Sequence, residues 1–234
     1  MKRWVASLAL LCLAPAARAG GLNLSWERCF GDVPQSNRSF SCGTTAGTET
    51  LVASFVPSVP SNGVTSVSTT IDFHVATGVL PAWLVGSTCG LATLSSSGFD
   101  AAHDIACRDW TGVGGSGVGI TSYTYPFPTG VGSSARLKLA CSVSPGVSIL
   151  GNVEYVAARV LISHAALVSP SGCGGCADPV TIANSTVNVS SSLVGQSQVI
   201  VQPVSGPSNQ ATWQGTGPVL VHRGTFAAIK SLYR

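Results

Sequence analysis

The sequence predicts an all-β fold, a jelly-roll-like sandwich of two antiparallel sheets with one short C-terminal helix. Three observations carry that expectation. Apolar and polar residues alternate with strand periodicity, most clearly from Val64 to Thr77. Turn formers are abundant, with 27 glycines and 13 prolines breaking the chain into short segments. Only the last stretch, Thr225 to Arg234, carries a helical stripe, and no fixed-period repeat argues for a solenoid.

The N-terminus reads as an export signal. Met1-Lys2-Arg3 is basic, Trp4 to Ala14 is apolar, and Ala17-Arg18-Ala19 is a small-residue cleavage motif, so residues 1–19 form a secretory signal peptide cut after Ala19. The apolar run is about a dozen residues, against the ~20 that a membrane-spanning helix needs. No later stretch is long and apolar enough, so no transmembrane segment is expected after cleavage. The expected location is secreted: extracellular, periplasmic or at the cell surface.

The chain has 12 Lys+Arg against 9 Asp+Glu, and the excess of three is Lys2, Arg3 and Arg18, which leave with the signal. A mature chain without net charge argues against nucleic acid as a partner, because phosphate binding needs a basic patch. Charged residues make up 9% of the chain, far below the ~25% of an ordinary soluble domain. Ser, Thr, Gly, Asn and Gln must cover the surface instead, and near-zero charge favours self-association. With no charged linker or proline tract, one sandwich domain is expected over 20–205, followed by a C-terminal appendix over 206–234.

Each element follows from local pattern. Leu22 to Trp26 alternates as a first strand, and Leu51 to Val56 is a buried strand stopped by Pro57 and Pro60. From Val64 to Thr77, Val67, Thr69, Ile71, Phe73 and Val75 share one face and Ser66, Ser68, Thr70, Asp72 and His74 the other, as in a sheet packed on one side. Residues 81–110 read as a loop region. In Arg136 to Val143, Leu137, Leu139, Cys141 and Val143 point inward. Val153 to Ile162 is apolar on both faces and predicts a central strand, with Val156, Ala158, Val160 and Ile162 on one face. Val180 and Ile182 have the opposite parity to Val187 and Val189, which predicts a bulge near Asn184-Ser185. Gln198 to Gln202 is a late strand. In the final helix Thr225 caps, Phe226, Ile229 and Tyr233 make the stripe, and Lys230 and Arg234 suit the C-terminal dipole.

Seven cysteines remain after signal cleavage, in an oxidising compartment. Spacing suggests three local disulfides: Cys29 with Cys42, Cys89 with Cys107, and Cys173 with Cys176. The first closes a short loop worth roughly 3 kcal/mol in the chain-entropy model. Cys141 is then left over as a free thiol on an apolar face. Cys173-Gly-Gly-Cys176 is also the pattern of a redox pair, but Asp178-Pro179 and a β-branched run follow where such chemistry wants a helix. A structural staple is the stronger reading, and zinc lacks a second ligand pair.

The 81–110 region holds the candidates for chemistry. Asp100, Asp104 and Asp109 are candidate metal ligands; if a cofactor is bound at all, calcium is the ion that oxygen-rich loops suit. The alternative is a solvated disulfide loop. Trp83, His103 and Trp110 are candidate binding residues, with Trp26, Trp213, Tyr123 and Tyr125 as further rings for sugar stacking, although core packing is the ordinary fate of such aromatics. There is no G-x-S-x-G and no H-E-x-x-H, so no catalytic residue is assigned. Gly112 to Gly117 matches G-x-G-x-x-G in letters only. Asn23, Asn37, Asn184 and Asn188 stand in N-x-S/T sequons.

Leu24-Ser25-Trp26 with Cys29, the Cys173-Gly-Gly-Cys176-Ala-Asp178-Pro179-Val180 loop, Thr212-Trp213-Gln214-Gly215 and the terminal Ile229 to Arg234 resemble motifs of a group of exported bacterial proteins of unassigned function. The resemblance implies a bacterial, didermal source and a terminal helix shared for sorting or docking. It carries over no catalytic residue.

The functional expectation is therefore a secreted or cell-surface β-sandwich for binding, adhesion or assembly, with a glycan or surface protein as partner. A secreted, calcium-dependent hydrolase using polar residues of the 81–110 loop is the alternative. A periplasmic thiol oxidoreductase using Cys173 and Cys176 is the second.

Overall fold

The computed structural model describes residues 20–113, 117–128, 132–167, 173–206 and 208–215. The expected signal peptide, the expected helix at 225–234 and part of the 112–117 glycine run lie outside the described residues. In chain order the elements are β1 (Gly21–Trp26), β2 (Asn37–Arg38), β3 (Thr48–Val56), β4 (Ser61–His74), a 3-10 turn (Ala82–Leu84), α1 (Gly86–Thr93), β5 (Leu94–Ser97), β6 (Gly119–Thr124), β7 (Ser134–Ile149), β8 (Tyr155–Ser163), α2 (His164–Leu167), β9 (Val180–Ser191), β10 (Gln198–Ile200) and β11 (Gln210–Trp213).

They form two stacked sheets. The smaller has the order β1-β3-β8-β5, and the larger β2-β11-β9-β4-β7-β6, with β10 also paired to β9. All pairs are antiparallel except β11 with β2. The fold class is the expected all-β sandwich. β11 begins beyond residue 205, so the larger sheet continues into the segment expected as an appendix. The region 81–110, expected as loop, contains α1 and β5. Neither has a strong periodic pattern, because α1 is Gly-Ser-Thr-Cys-Gly-Leu-Ala-Thr and β5 is nearly all serine.

The alternation of β4 becomes burial. Val67, Thr69, Ile71 and Phe73 are buried against the smaller sheet, while Asp72 is half-buried and His74 exposed. Leu137, Leu139 and Cys141 of β7 face the same core. The parity switch in β9 is the expected bulge: Thr70 pairs with Thr186 and Ile71 with Asn184, so Ser185 is the extra residue. Its hydroxyl donates to the Thr70 carbonyl, while Asn184 turns inward, donating to the Asn23 carbonyl and accepting from the Thr69 hydroxyl.

β8 is the central strand of the smaller sheet, between β3 and β5. One assignment on it changes. A bulge opposite Ala53-Ser54 leaves Ala157 unpaired, and Val156 then faces a small separate cluster with Cys29, Val52 and Cys107. Ala158, Val160 and Ile162 keep the expected core face.

None of the three expected disulfide pairings forms. The bonds are Cys29–Cys107, Cys42–Cys176 and Cys89–Cys173, joining the expected six cysteines across the fold rather than along it. Proximity in sequence misled because β-sandwich loops close against distant neighbours. The longest bridge spans 134 residues and is worth about 4–5 kcal/mol in the chain-entropy model. Cys141 is buried and outside the three bridges. Three disulfides fit folding outside the reducing cytoplasm. No helix among the described residues is long and apolar enough to cross a membrane.

The motifs scattered along the sequence meet at one corner. Trp26, Trp83 and Trp213 are fully buried. Phe40 stacks on Trp213 with centroids 4.5 Å apart, and Trp83 lies 5.2 Å from Trp213. Trp213 donates from Nε1 to the Cys176 carbonyl at 2.7 Å, and Trp26 donates to the Thr212 carbonyl at 3.1 Å. The Gln214 side-chain amide closes the corner, accepting from the Phe40 N–H and donating to its carbonyl.

Candidate functional site

On the outer side of the smaller sheet, two loops rise around a polar cleft of about 510 Å³ lined by Glu27, Arg28, Thr50, Ser97, Asp100, His103, Arg159 and Leu161. Thr50 comes from β3, Arg159 and Leu161 from β8, and Ser97 from β5. The walls are the turn after β1 and the 99–108 loop after β5. Two devices hold these walls together. The Cys29–Cys107 bridge links them covalently, and the Asp32 carboxylate accepts from the Ala106 N–H at 2.8 Å. Beneath the first wall, Glu154 accepts from the N–H groups of Phe30 and Gly31 and from the Asn23 side chain.

Charge is fixed at the floor. Arg159 is only 6% exposed and donates from Nη1 to Asp104 Oδ1 at 2.8 Å, while Asp104 is fully buried. The second Asp104 oxygen accepts the Asp100 N–H at 2.8 Å. Asp100 in turn lies 4.0 Å from Arg159 Nη2 and 2.8 Å from His103 Nδ1. The His103 side chain is 62% exposed, so the network runs from a buried ion pair to a wet imidazole.

These surroundings split the two carboxyls. The His103 hydrogen bond, followed by the Ala102 N–H, holds Asp100 below its ordinary pKa. Burial raises Asp104, with the Asp100 N–H and the Arg159 guanidinium pulling the other way. Glu27 makes the upper wall with an ion pair to Arg38 and stands in the left-handed backbone region at φ 64°. A non-glycine residue there costs roughly 1–3 kcal/mol and persists only where the surrounding structure holds it.

The expected site residues divide. Asp100 and His103 meet in the cleft. Asp104 lies beneath it, and Asp109 is turned to the Thr111 N–H and hydroxyl. The three aspartates therefore do not converge on a common point, and among the described residues no three His, Cys, Asp or Glu side chains are grouped to hold a metal ion. Trp83 and Trp110 are buried, at 0% and 4% exposure, and with Trp26 and Trp213 they make core rather than an exposed stacking platform. Cys173 and Cys176 are bonded to Cys89 and Cys42, so the dithiol–disulfide exchange of a redox pair is not available to them. The sequence reading missed Glu27, Arg28, Thr50, Ser97 and Arg159. Arg159 had a legible signal: an arginine inside the apolar run of a central strand needs a buried acid.

No protein-family model matches the chain, and no curated protein matches it. Among solved structures, one similar chain is a cohesin module from a Clostridium perfringens family 33 glycoside hydrolase. It is 8% identical, with a TM-score of 0.36, covering 82% of this chain and 92% of the cohesin chain.

Proposed function

We propose that the protein is an exported β-sandwich binding module whose cleft holds a polar, charged peptide segment of a surface partner. The observation that carries this reading is the fixed charge pattern of the cleft. The Asp104–Arg159 pair is locked into the floor, and Glu27, Arg28, Asp100 and His103 surround it. Both signs of charge at set positions suit a ligand that brings both signs, and recognition gains when the polar groups need no reordering.

Export is supported by the three disulfides, which fit an oxidising compartment, and the two glycines after the expected cleavage point pack closely. A Cβ on Gly20 would stand 2.3 Å from the Ser58 nitrogen, and one on Gly21 2.5 Å from the Val204 nitrogen. Only glycine fits at these two positions without a shift of the facing backbone. The mass of the exported protein is expected to correspond to a first residue of Gly20; a retained signal would contradict export with cleavage at that site.

A random-peptide display selection on the mature protein tests the binding reading. Selected peptides are expected to carry both acidic and basic residues and to bind Arg28→Glu at least about tenfold more weakly. Peptides that bind Arg28→Glu and His103→Ala as tightly as the unaltered protein would count against the cleft.

The Asp100–His103 pair supports a second reading, a secreted hydrolase. Its Nδ1 bond to Asp100 orients the ring as in an acid–base dyad, and Ser97 lines the same cleft. Hydrolysis of ester, amide or glycoside substrates lost in both His103→Ala and Ser97→Ala would favour it. Background rates across such a panel would remove it.

A further inference from the structure

The opposite face of the sandwich has a second cavity, and strand register creates it. On the outer face of the larger sheet, β7, β4, β9 and β11 bring Arg136, Asp72, Ala183 and Gln210 into one row. The adjoining row is Ser134, His74 and Thr181. Asp72 and Gln210 stand on either side of Ala183, whose methyl is shorter than both and leaves a gap. The loop at Phe127-Pro128 walls that gap, giving a groove of about 330 Å³, at the small end of ligand pockets.

The polar chemistry is neutral and directional. Asp72 takes Arg136 in two bonds, Nε at 2.6 Å and Nη2 at 2.9 Å, so the strongest charges nearby cancel. The same guanidinium lies 3.7 Å from the Phe127 ring centroid and fixes the wall. His74 Nδ1 and the Ser134 hydroxyl are paired at 2.8 Å. Gln210, which lines the groove, keeps its Oε1 buried and without a hydrogen-bond partner among the described residues.

We infer that this groove binds a short neutral glycan. The aromatic wall and the small-residue floor suit the C–H faces of a sugar ring, whereas the exposed His74–Ser134 pair suits its hydroxyls. An ionic ligand would find no uncompensated charge. A purely apolar ligand would strip water from these polar groups without replacing its hydrogen bonds.

The test is amide NMR on the mature protein with cellotetraose, xylotetraose, chitotetraose and mannotetraose at millimolar concentration. At least one is expected to shift the amides of Phe127, Thr181 and Ala183. Ala183→Trp fills the gap and is expected to abolish the shifts. Phe127→Ala, in a half-buried loop position, is expected to weaken binding about tenfold with the melting temperature nearly unchanged. This second variant keeps the test decisive if Ala183→Trp fails to fold. Overturning results are the absence of shifts with every sugar, shifts confined to other residues, binding unaffected by Phe127→Ala, or stronger shifts at these amides with hexanoate or indole.

Discussion

The aromatic corner and the polar cleft are both loop regions closed by disulfides, yet they treat their side chains in opposite ways. At the corner, Cys42–Cys176 and Cys89–Cys173 gather the 173–178 loop against Trp26, Phe40, Trp83 and Trp213. Three indoles are fully buried, and two donate to backbone carbonyls. At the cleft, Cys29–Cys107 holds two loops apart from the main core over a small cluster of its own. Its imidazole stays wet and its arginine is pinned. Rarity in the sequence thus means stability in one place and a surface in the other; neighbouring structure decides which.

Substitutions can break this contrast, and the largest effect belongs to the corner. Trp213→Ala removes a ring packed against Phe40, Trp83 and Trp26, and is expected to cost about 3–5 kcal/mol in urea unfolding. His103→Ala should stay within about 0.5 kcal/mol. Equal losses for the two would erase the distinction between corner and cleft. Next comes the cleft floor. Asp104→Ala leaves the buried Arg159 guanidinium with no acceptor at the cleft floor and is expected to cost about 3 kcal/mol. The double variant Asp104→Ala, Arg159→Met should recover most of that loss in the same assay, because the unpaired buried guanidinium has gone.

The smallest effect is a titration order. An aspartate held below its ordinary value near 3.9 stabilises the fold above that pH and loses the contribution only as pH falls through its lower folded value. Asp100 is of this kind. Asp104, raised by burial, has the opposite sign: the folded state takes up its proton first, so acidification between the unfolded and folded values favours the fold at that group. Carboxyl ¹³C NMR is expected to show Asp104 protonating before Asp100. The reverse order would contradict the network drawn at the cleft floor.

Much of the scaffold was legible in sequence because it rests on a period of two. The β4 alternation, the inward face of β7 and the β9 bulge at Ser185 all follow from parity. Features that depend on distant partners were not. The disulfide partners, the burial of Trp83 and Trp110 and the bulge that reassigns Val156 are set by which strands stack. α1 and β5 escaped because Gly, Ser and Thr dominate them and give weak propensity signals. Of the cleft, Asp100 and His103 could be named from a local cluster. Glu27, Arg28 and Thr50 could not, since only the fold brings the segment after β1 and the middle of β3 beside the 99–108 loop.

Hydrogen–deuterium exchange of the mature protein, with and without a display-selected peptide, tests the central claim most directly. Slow exchange is expected at Trp26, Trp213 and Gln214 in both samples, with new protection confined to the turn at 27–31 and the 97–108 segment. Protection appearing at the aromatic corner, with the cleft unchanged, would contradict it.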